Sequence, residues 1–130
     1  MTSPARRYRK RSGQTVTAVR VPASYDGFTY EKWGAEQRCK PGDWIVVNAG
    51  EFYTVDAEVF AATYREVGAG TYEKHAAVWA RVADVAGVVA TKEGRTHYEA
   101  GAYLVSNHED GRDAWAVEAD RFEAMYARDA

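Results

Sequence analysis

The chain has 130 residues and a mass of 14.5 kDa, which allows one compact unit or two very small ones and excludes a large multidomain enzyme. Hydrophobic residues make up 46% and charged residues 28% of the sequence, as in soluble globular proteins. No apolar run is long enough to span a membrane and no signal-peptide core follows the basic start, so we expect a cytoplasmic protein without membrane contact.

The apolar residues are mainly valine and aromatic side chains, with 15 Val but only one Ile and one Leu, and with 13% aromatic residues. These residue types fit the half-buried surface of a pleated sheet, whereas helical bundles favour Leu. We therefore predict a strand-dominated α+β fold. The excess of Val over Ile and of Arg over Lys indicates GC-rich codons, so we expect a high-GC bacterial host or its phage.

Residues 1–13 form a basic segment that we expect to lead into the first strand. From Arg6 to Arg11 all residues but Tyr8 are basic, whereas the rest of the chain carries 12 basic and 19 acidic residues. An acidic body lacks the basic face that phosphate binding needs. Nucleic-acid binding is therefore expected to be weak and non-specific, and Tyr8 is expected to pack against the unit that follows it.

Residues 14–67 form a first unit in which three strands precede a short helix. Asp56 can cap a helix at 57–64, in which Phe60 and Tyr64 lie four residues apart on one face. Alternating β-forming residues and turn signals at proline and glycine predict the strands. The predicted strands are residues 15–21, 44–47 and 52–55.

Residues 68–75 are predicted to be a linker with a short helix at 71–75, and residues 76–130 form a second unit similar to the first. Valine spacing in the second unit also fits a helix, but the similarity between units favours a strand at 79–82. The matching segments are 41–48 with 100–107, and 53–64 with 115–126.

The whole chain is therefore predicted to be one compact body made of two tandem copies of a small β-β-β-α unit. A unit of about 55 residues buries little apolar surface alone, so we expect the copies to pack around a pseudo-twofold axis. Edge strands left exposed by this packing could pair with another chain, which would give a homodimer.

Four motifs carry a resemblance to a known family. They are Tyr-Arg-Lys at 8–10, Pro-Gly-Asp-Trp at 41–44, Gly-Glu-Phe-Tyr at 50–53 and Phe-x-x-x-Tyr at 60–64. In this pattern the chain resembles a family of small bacteriophage and prophage proteins, here duplicated in tandem. The second unit departs from the pattern, since Ala102 replaces the aspartate. The resemblance implies a phage-type accessory protein, and it implies no catalytic residue.

The sequence contains none of the glycine-rich, zinc-protease or serine-hydrolase motifs that identify common enzyme classes. His75, His97 and His108 do not have the spacing of metal ligands, so neither a metal nor a cofactor is expected. Asp43 is interpreted as a turn aspartate that accepts backbone N–H groups. Cys39 has no cysteine partner, and we interpret it as an inert, partly buried thiol.

Aromatic residues are the strongest functional signal in the sequence. Most are expected to fill the core, but Tyr30 and Trp33 lie in the least regular part of the first unit and lack aromatic counterparts in the second. With Arg20, Arg38 and Arg95 they form a candidate ligand site, because an aromatic ring can stack on a base while a guanidinium holds a phosphate.

Three functions fit these observations. The first is a non-enzymatic accessory protein of phage or prophage type that binds a host protein or a partner subunit. The second is a small-molecule binder that sequesters a nucleotide-like ligand between the two copies and so antagonises a host defence. The third is a small enzyme acting on nucleotides or sugars. The absence of catalytic motifs favours the non-enzymatic functions.

Overall fold

The computed structural model describes residues 4–129, and within them the chain forms fourteen strands and two short helices. All strand pairs are antiparallel, which confirms the predicted strand-dominated α+β class. Neither helix of this part of the chain is long and apolar enough to cross a membrane. In chain order the elements are β1 (Arg6–Lys10), β2 (Val16–Arg20), β3 (Phe28–Lys32), β4 (Ala35–Cys39), β5 (Trp44–Asn48), β6 (Glu51–Val55), α1 (Ala57–Thr63), β7 (Tyr64–Gly68), β8 (Thr71–Lys74), β9 (Val78–Val82), β10 (Gly87–Ala90), β11 (Arg95–Tyr98), β12 (Tyr103–Ser106), β13 (Trp115–Val117), α2 (Ala119–Met125) and β14 (Tyr126–Arg128).

The first five-stranded sheet has the order β6-β5-β2-β8-β7. Because side chains alternate between the faces of a strand, β2 and β5 bury Val16 and Val46 on one face. Phe60 of α1 packs on that face, between Trp44 and Tyr64, with ring centroids 4.1 and 4.6 Å away. This aromatic stack holds α1 against its sheet.

The second five-stranded sheet has the order β13-β12-β9-β1-β14. Its inner face buries Val78 and Val105 against Phe122 of α2. Phe122 stacks between Tyr103 and Tyr126, with ring centroids 4.2 and 4.7 Å away. Phe60 and Phe122 are both almost fully buried, which agrees with the expectation that most aromatic residues fill the core.

The two helices begin differently. The Asp56 carboxylate accepts hydrogen bonds from the backbone N–H groups of Glu58 and Val59, as expected of an N-cap. Glu118, at the same position before α2, makes no side-chain capping bond. The prediction that Asp56 caps its helix is confirmed.

Two hairpins, β3–β4 and β10–β11, lie outside these sheets and contact each other through β4 and β11. Gln37 of β4 is fully buried at the junction, and its side-chain amide donates to the carbonyls of Lys32 and Arg95. Gly94 bridges to Gln37, and a Cβ atom there would collide with the Glu36 carbonyl. The close approach of the hairpins therefore needs glycine at position 94.

The predicted short helix at 71–75 is wrong. Residues 71–74 form β8, which pairs with β2 on one side and with β7 on the other. The hairpin connection from β7 through Gly70, with its positive φ of 71°, returns the chain along the sheet before a helix can start.

The predicted position of Tyr8 is also wrong. Tyr8 lies on β1, between β9 and β14, and its ring contacts Phe122 at 4.9 Å and Tyr103 at 6.2 Å. It therefore packs in the core of the second sheet, not against the unit that follows it in sequence. The reason is that β1 pairs with β9 and β14, which both belong to the second sheet.

Candidate functional site

The β3–β4 hairpin turns through Trp33 and Gly34, whose φ angles are 56° and 79°. Left-handed backbone at both central positions is what a two-residue type I′ turn requires, and Asn-Gly is its preferred sequence. A tryptophan in this conformation costs on the order of 1 kcal/mol. The chain thus keeps a large aromatic side chain at a hairpin tip at the expense of local stability.

Trp33 is 38% exposed and belongs to a group of aromatic and cationic side chains. The Lys32 amine lies 5.2 Å from the centre of the Trp33 ring and 5.9 Å from that of Phe52, so one cation joins the two rings. Trp33 also contacts Tyr53, with ring centroids 6.3 Å apart. These contacts fix the ring beside β6.

The apolar area continues from β6 across β5 to β2. Phe52 lies opposite Val47, and these side chains are 43% and 45% exposed. Val19 is on the same face of the sheet as Val47 and is 60% exposed. We define the Trp33 surface as the side chains of Val19, Lys32, Trp33, Val47 and Phe52.

The charged groups at the Trp33 surface are paired within the protein. Lys32 forms an ion pair with Glu51 at 2.9 Å, and Glu51 also binds Arg121 at 2.6 Å. The surface therefore offers exposed apolar area whose cation is already neutralised. Such a surface suits an apolar partner better than a phosphate-bearing one.

Tyr30 connects the β3–β4 hairpin to β6, next to the Trp33 surface. Its hydroxyl lies 2.6 Å from Thr54 Oγ1 and accepts the Thr54 backbone N–H, while its ring contacts Phe52 at 5.3 Å. Burial raises the pKa of Tyr30, with hydrogen bonds from Thr54 opposing. Tyr30 lies on β3 and Trp33 in the turn of a regular hairpin, so the prediction that they occupy the least regular part of the first unit is wrong.

The three predicted arginines do not meet at one place. Arg38 lies on the same hairpin as Tyr30. Tyr30 is opposite Gln37, so the side chain of the neighbouring Arg38 points to the other face of the hairpin. Arg38 donates to the Asp26 carbonyl at 2.7 Å. Arg20 donates to the Gly42 carbonyl at 3.2 Å, near the end of β2. Arg95 is exposed on β11, next to the β3–β4 hairpin.

Sequence reasoning missed Lys32, Val47 and Phe52 as surface residues. Val47 and Phe52 belong to predicted strands, and alternation against the buried Val46 would place Val47 on the outer face. Phe52 then follows from pairing across the Ala49-Gly50 turn. No sequence signal identifies Lys32, whose role depends on the turn at Trp33.

Two other predicted residues have structural roles, as expected. The Asp43 carboxylate is almost fully buried and accepts the backbone N–H groups of Lys40 and Ala57 at 2.9 and 3.0 Å. Cys39 is buried, and this burial, followed by the nearby Asp43 charge, raises the pKa of its thiol. A raised thiol pKa disfavours the reactive thiolate.

An open depression of about 530 Å³ lies elsewhere, at the end of β12. None of the five predicted site residues lines this depression, whose lining residues are Trp79, Asn107, His108, Glu109, Asp110 and Arg112. Among residues 4–129, no group of three or more His, Cys, Asp or Glu side chains is arranged to hold a metal ion.

The basic segment is expected to bind nucleic acid only weakly, because its cations are partly engaged in the fold. Arg7 and Arg9 pair with Asp129 at 3.3 and 2.7 Å, and Arg11 donates to the Glu123 carbonyl at 2.9 and 3.1 Å. Fluorescence anisotropy with single- and double-stranded DNA should show weak binding at low salt that vanishes near about 150 mM salt. Sub-micromolar binding at that salt concentration would contradict this expectation.

The Trp33 surface is the candidate functional site of this chain. Its exposed rings and valines lie on a hairpin tip and on the outer face of a sheet whose inner face is buried. No protein-family model, curated protein or solved structure matches the chain.

Proposed function

We propose that the protein is a non-enzymatic accessory protein, of the phage or prophage type that its motifs resemble, and that it binds a partner protein through the Trp33 surface. The observation that supports this proposal is an exposed tryptophan held in a left-handed hairpin turn. Backbone strain is retained where the surrounding structure and the function require it. Tryptophan is also among the side chains that contribute most to protein–protein binding.

The chemistry of the surface indicates an apolar protein partner. Phe52, Val47 and Val19 extend the apolar area beyond Trp33, and Lys32 is neutralised by Glu51. A partner that covers these side chains gains hydrophobic stabilisation without having to compensate a charge. A partner of this kind can be a different protein or a second copy of this chain.

A nucleotide-like ligand has less support. The Tyr30 hydroxyl is engaged with Thr54, Arg38 points to the opposite face of the hairpin, and Arg20 lies at another end of the sheet. Tyr30, Arg20 and Arg38 therefore do not face a common ligand volume. The favoured function remains protein binding.

A Trp33→Asn variant separates binding from folding. Asparagine suits the first central position of a type I′ turn, so the hairpin should keep its fold and the free energy of unfolding should change by less than about 1 kcal/mol. Loss of the ring should weaken partner binding by at least about 30-fold, as expected for a central interface tryptophan. Binding is measured by capture of partners on immobilised protein, followed by titration of the isolated partner.

The matched control is Tyr25→Ala, because Tyr25 is 53% exposed but lies outside the Trp33 surface. It should leave partner binding unchanged. Light scattering of the wild-type chain distinguishes a second copy from a different protein as the partner. A partner whose affinity is equal for wild type, Trp33→Asn and Phe52→Ala would refute binding at this surface.

We also infer that the fold is a tandem duplication of one unit. The support is the matching order of the sheets: β6, β5, β2, β8 and β7 correspond to β13, β12, β9, β1 and β14. Backbone hydrogen bonds agree with this, since Val21 N–H donates to the Asp43 carbonyl and Ala83 N–H to the Ala102 carbonyl, both at 2.8 Å. The stacks around Phe60 and Phe122 also have the same arrangement.

The duplication implies a permuted second unit. In the first unit β8 follows β7 directly, whereas the corresponding strand of the second unit is β1, which precedes everything else in the chain. The strand β1 of the basic segment would then occupy the same position in the second sheet as β8 does in the first. Tyr8 corresponds to Tyr72, whose ring contacts Phe60 at 5.1 Å as that of Tyr8 contacts Phe122 at 4.9 Å.

A further inference from the structure

Hydrogen-bond donors converge at Met125, which is not part of the Trp33 surface. Lys10 Nζ lies 3.8 Å and Asn48 Nδ2 lies 3.6 Å from the Met125 sulfur. A thioether is only a weak acceptor, so this contact satisfies the Lys10 ammonium poorly, whereas the Asn48 side chain also hydrogen-bonds to Tyr53. Lys74 reaches the same part of the core, because its amine contacts the ring of Trp115, which packs together with Met125 against the Phe122 cluster.

The two lysines come from different sheets. Lys10 ends β1 and lies opposite Tyr126, and Lys74 ends β8 and lies opposite Tyr64. The Lys74 amine lies 4.7 Å from the centre of the Trp115 ring, which belongs to the other sheet. Lys74 is 8% exposed, whereas Lys10 is half-buried and is reached from solvent.

The side chains around Lys10 and Lys74 add positive charge and little negative charge. Burial, followed by the charge of Arg121, lowers the pKa of Lys10 to about 8. Burial, followed by the charge of Lys10, lowers the pKa of Lys74 to about 7. Glu51 is the carboxylate beside Arg121, and it is already shared by Arg121 and Lys32.

No ion pair between a carboxylate and either lysine forms within residues 4–129. The nearby phenols are neutral, because burial raises the pKa of Tyr53, Tyr64 and Tyr126. Aromatic faces stabilise an ammonium but accept few of its N–H bonds. A buried ammonium without an acceptor is costly, so this group of side chains suits a ligand that supplies acceptor oxygens.

We propose that Lys10, Asn48 and Lys74 form a binding site for a small oxyanion, with Met125 as the flexible side chain that moves aside when the ligand binds. Lys74 lies at the buried end of the site, and Lys10 and Asn48 at its solvent side. Two ammonium groups and an amide supply up to eight N–H donors, which matches the several acceptor oxygens of a phosphate group. Methionine has the rotamer freedom that the movement needs.

The site shares no residue with the Trp33 surface, although Glu51 pairs with both Arg121 and Lys32, and it goes beyond protein binding. Its ligand is a phosphate or a carboxylate group, since both present two or more acceptor oxygens. The more highly charged phosphate should bind more tightly to two ammonium groups. Acetate therefore serves as the comparison ligand.

Calorimetric titration of the full chain with inorganic phosphate, at about pH 6.5, tests the site while both amines are largely charged. Sodium chloride holds the ionic strength at about 0.15 M throughout. We expect millimolar or tighter phosphate binding, and at least about tenfold weaker binding in Lys74→Met and in Lys10→Met. Lys92→Met is the matched control, because Lys92 is an exposed lysine near Asp56, and it should bind phosphate like the wild type.

A second measurement uses only the wild-type protein and so does not depend on folding of the variants. Phosphate should slow acetylation of Lys10 by at least about threefold, as expected for an amine shielded by a bound anion, without changing that of Lys92. Phosphate binding that is undetectable at about 20 mM, or equal in wild type and both lysine variants, would overturn the proposal. Unchanged acetylation of Lys10 would also overturn it.

Discussion

Lys74→Met should raise the free energy of unfolding by on the order of 3 kcal/mol at about pH 6 in phosphate-free buffer. The pKa of Lys74 falls from an ordinary value of 10.5 to about 7 because the amine is buried and lies near Lys10. Below about pH 7 the Lys74 amine is charged in both the folded and the unfolded chain, so the folded state bears the full desolvation penalty of that charge. Methionine fills a similar volume without this penalty.

The gain in free energy of unfolding from Lys74→Met should diminish as the pH rises. Between about pH 7 and pH 10 the folded protein releases the Lys74 proton while the unfolded chain keeps it, so wild-type stability rises with pH. Lys10, with its pKa lowered to about 8, contributes a slope of the same sign. Above about pH 10 the slope should reverse, since Tyr64 and Tyr126 ionise more readily in the unfolded chain.

Urea denaturation of wild type, Lys74→Met and Lys92→Met at about pH 6 and about pH 9 measures this effect. The stability gain of Lys74→Met should be clearly larger at the lower pH, and Lys92→Met should show no comparable difference. A gain that is absent, or that does not depend on pH, would show that the Lys74 amine is well solvated in the folded protein.

Local signals in the sequence predicted much of the first sheet. Turn residues before Trp44 and around Gly50 bracket β5 and β6, and Asp56 marks the start of α1. Each of these signals acts over a few residues, so one sequence is enough to identify it. The helix pattern placed Phe60 and Tyr64 on one face, and the match between segments 53–64 and 115–126 extends this pattern to the second helix.

Features that depend on distant contacts were not predictable. Nothing within residues 6–10 indicates that β1 pairs with β9 and β14, more than 65 residues away in the chain. The β3–β4 hairpin was missed because its turn is Trp33-Gly34, which departs from the usual Asn-Gly signal. The site formed by Lys10, Asn48 and Lys74 was missed because Lys74 lay in a segment predicted to be a linker.

The candidate site was predicted only in part. Tyr30 and Trp33 are not part of the core cluster of the first sheet, and Tyr30 has a supporting role. The arginines were selected for charge alone, and the pairing register sends them to different places. A residue type indicates what a side chain can bind, but only the fold determines which side chains face the same ligand.

Deleting residues 1–11 should unfold the second sheet, a larger effect than any single substitution considered above. β1 is an inner strand of that sheet, so its loss leaves β9 and β14 without their shared neighbour and removes Tyr8 from the core. Backbone bonds from Arg11 N–H to the Met125 carbonyl and from Asp129 N–H to the Arg7 carbonyl would also be lost. Amide resonances of β9, β12 and β14 should collapse to unfolded positions in NMR spectra.

The matched control is a circular permutant that begins at residue 12 and carries residues 4–11 after β14, joined by a two-residue glycine turn. Residues 69–70 join β7 to β8 with this length in the first sheet. If β1 corresponds to β8 through duplication, the permuted strand should return to its place between β14 and β9, and the second sheet should refold. A permutant as unfolded as the deletion variant would contradict the duplication, because equivalent strands should tolerate the same connection.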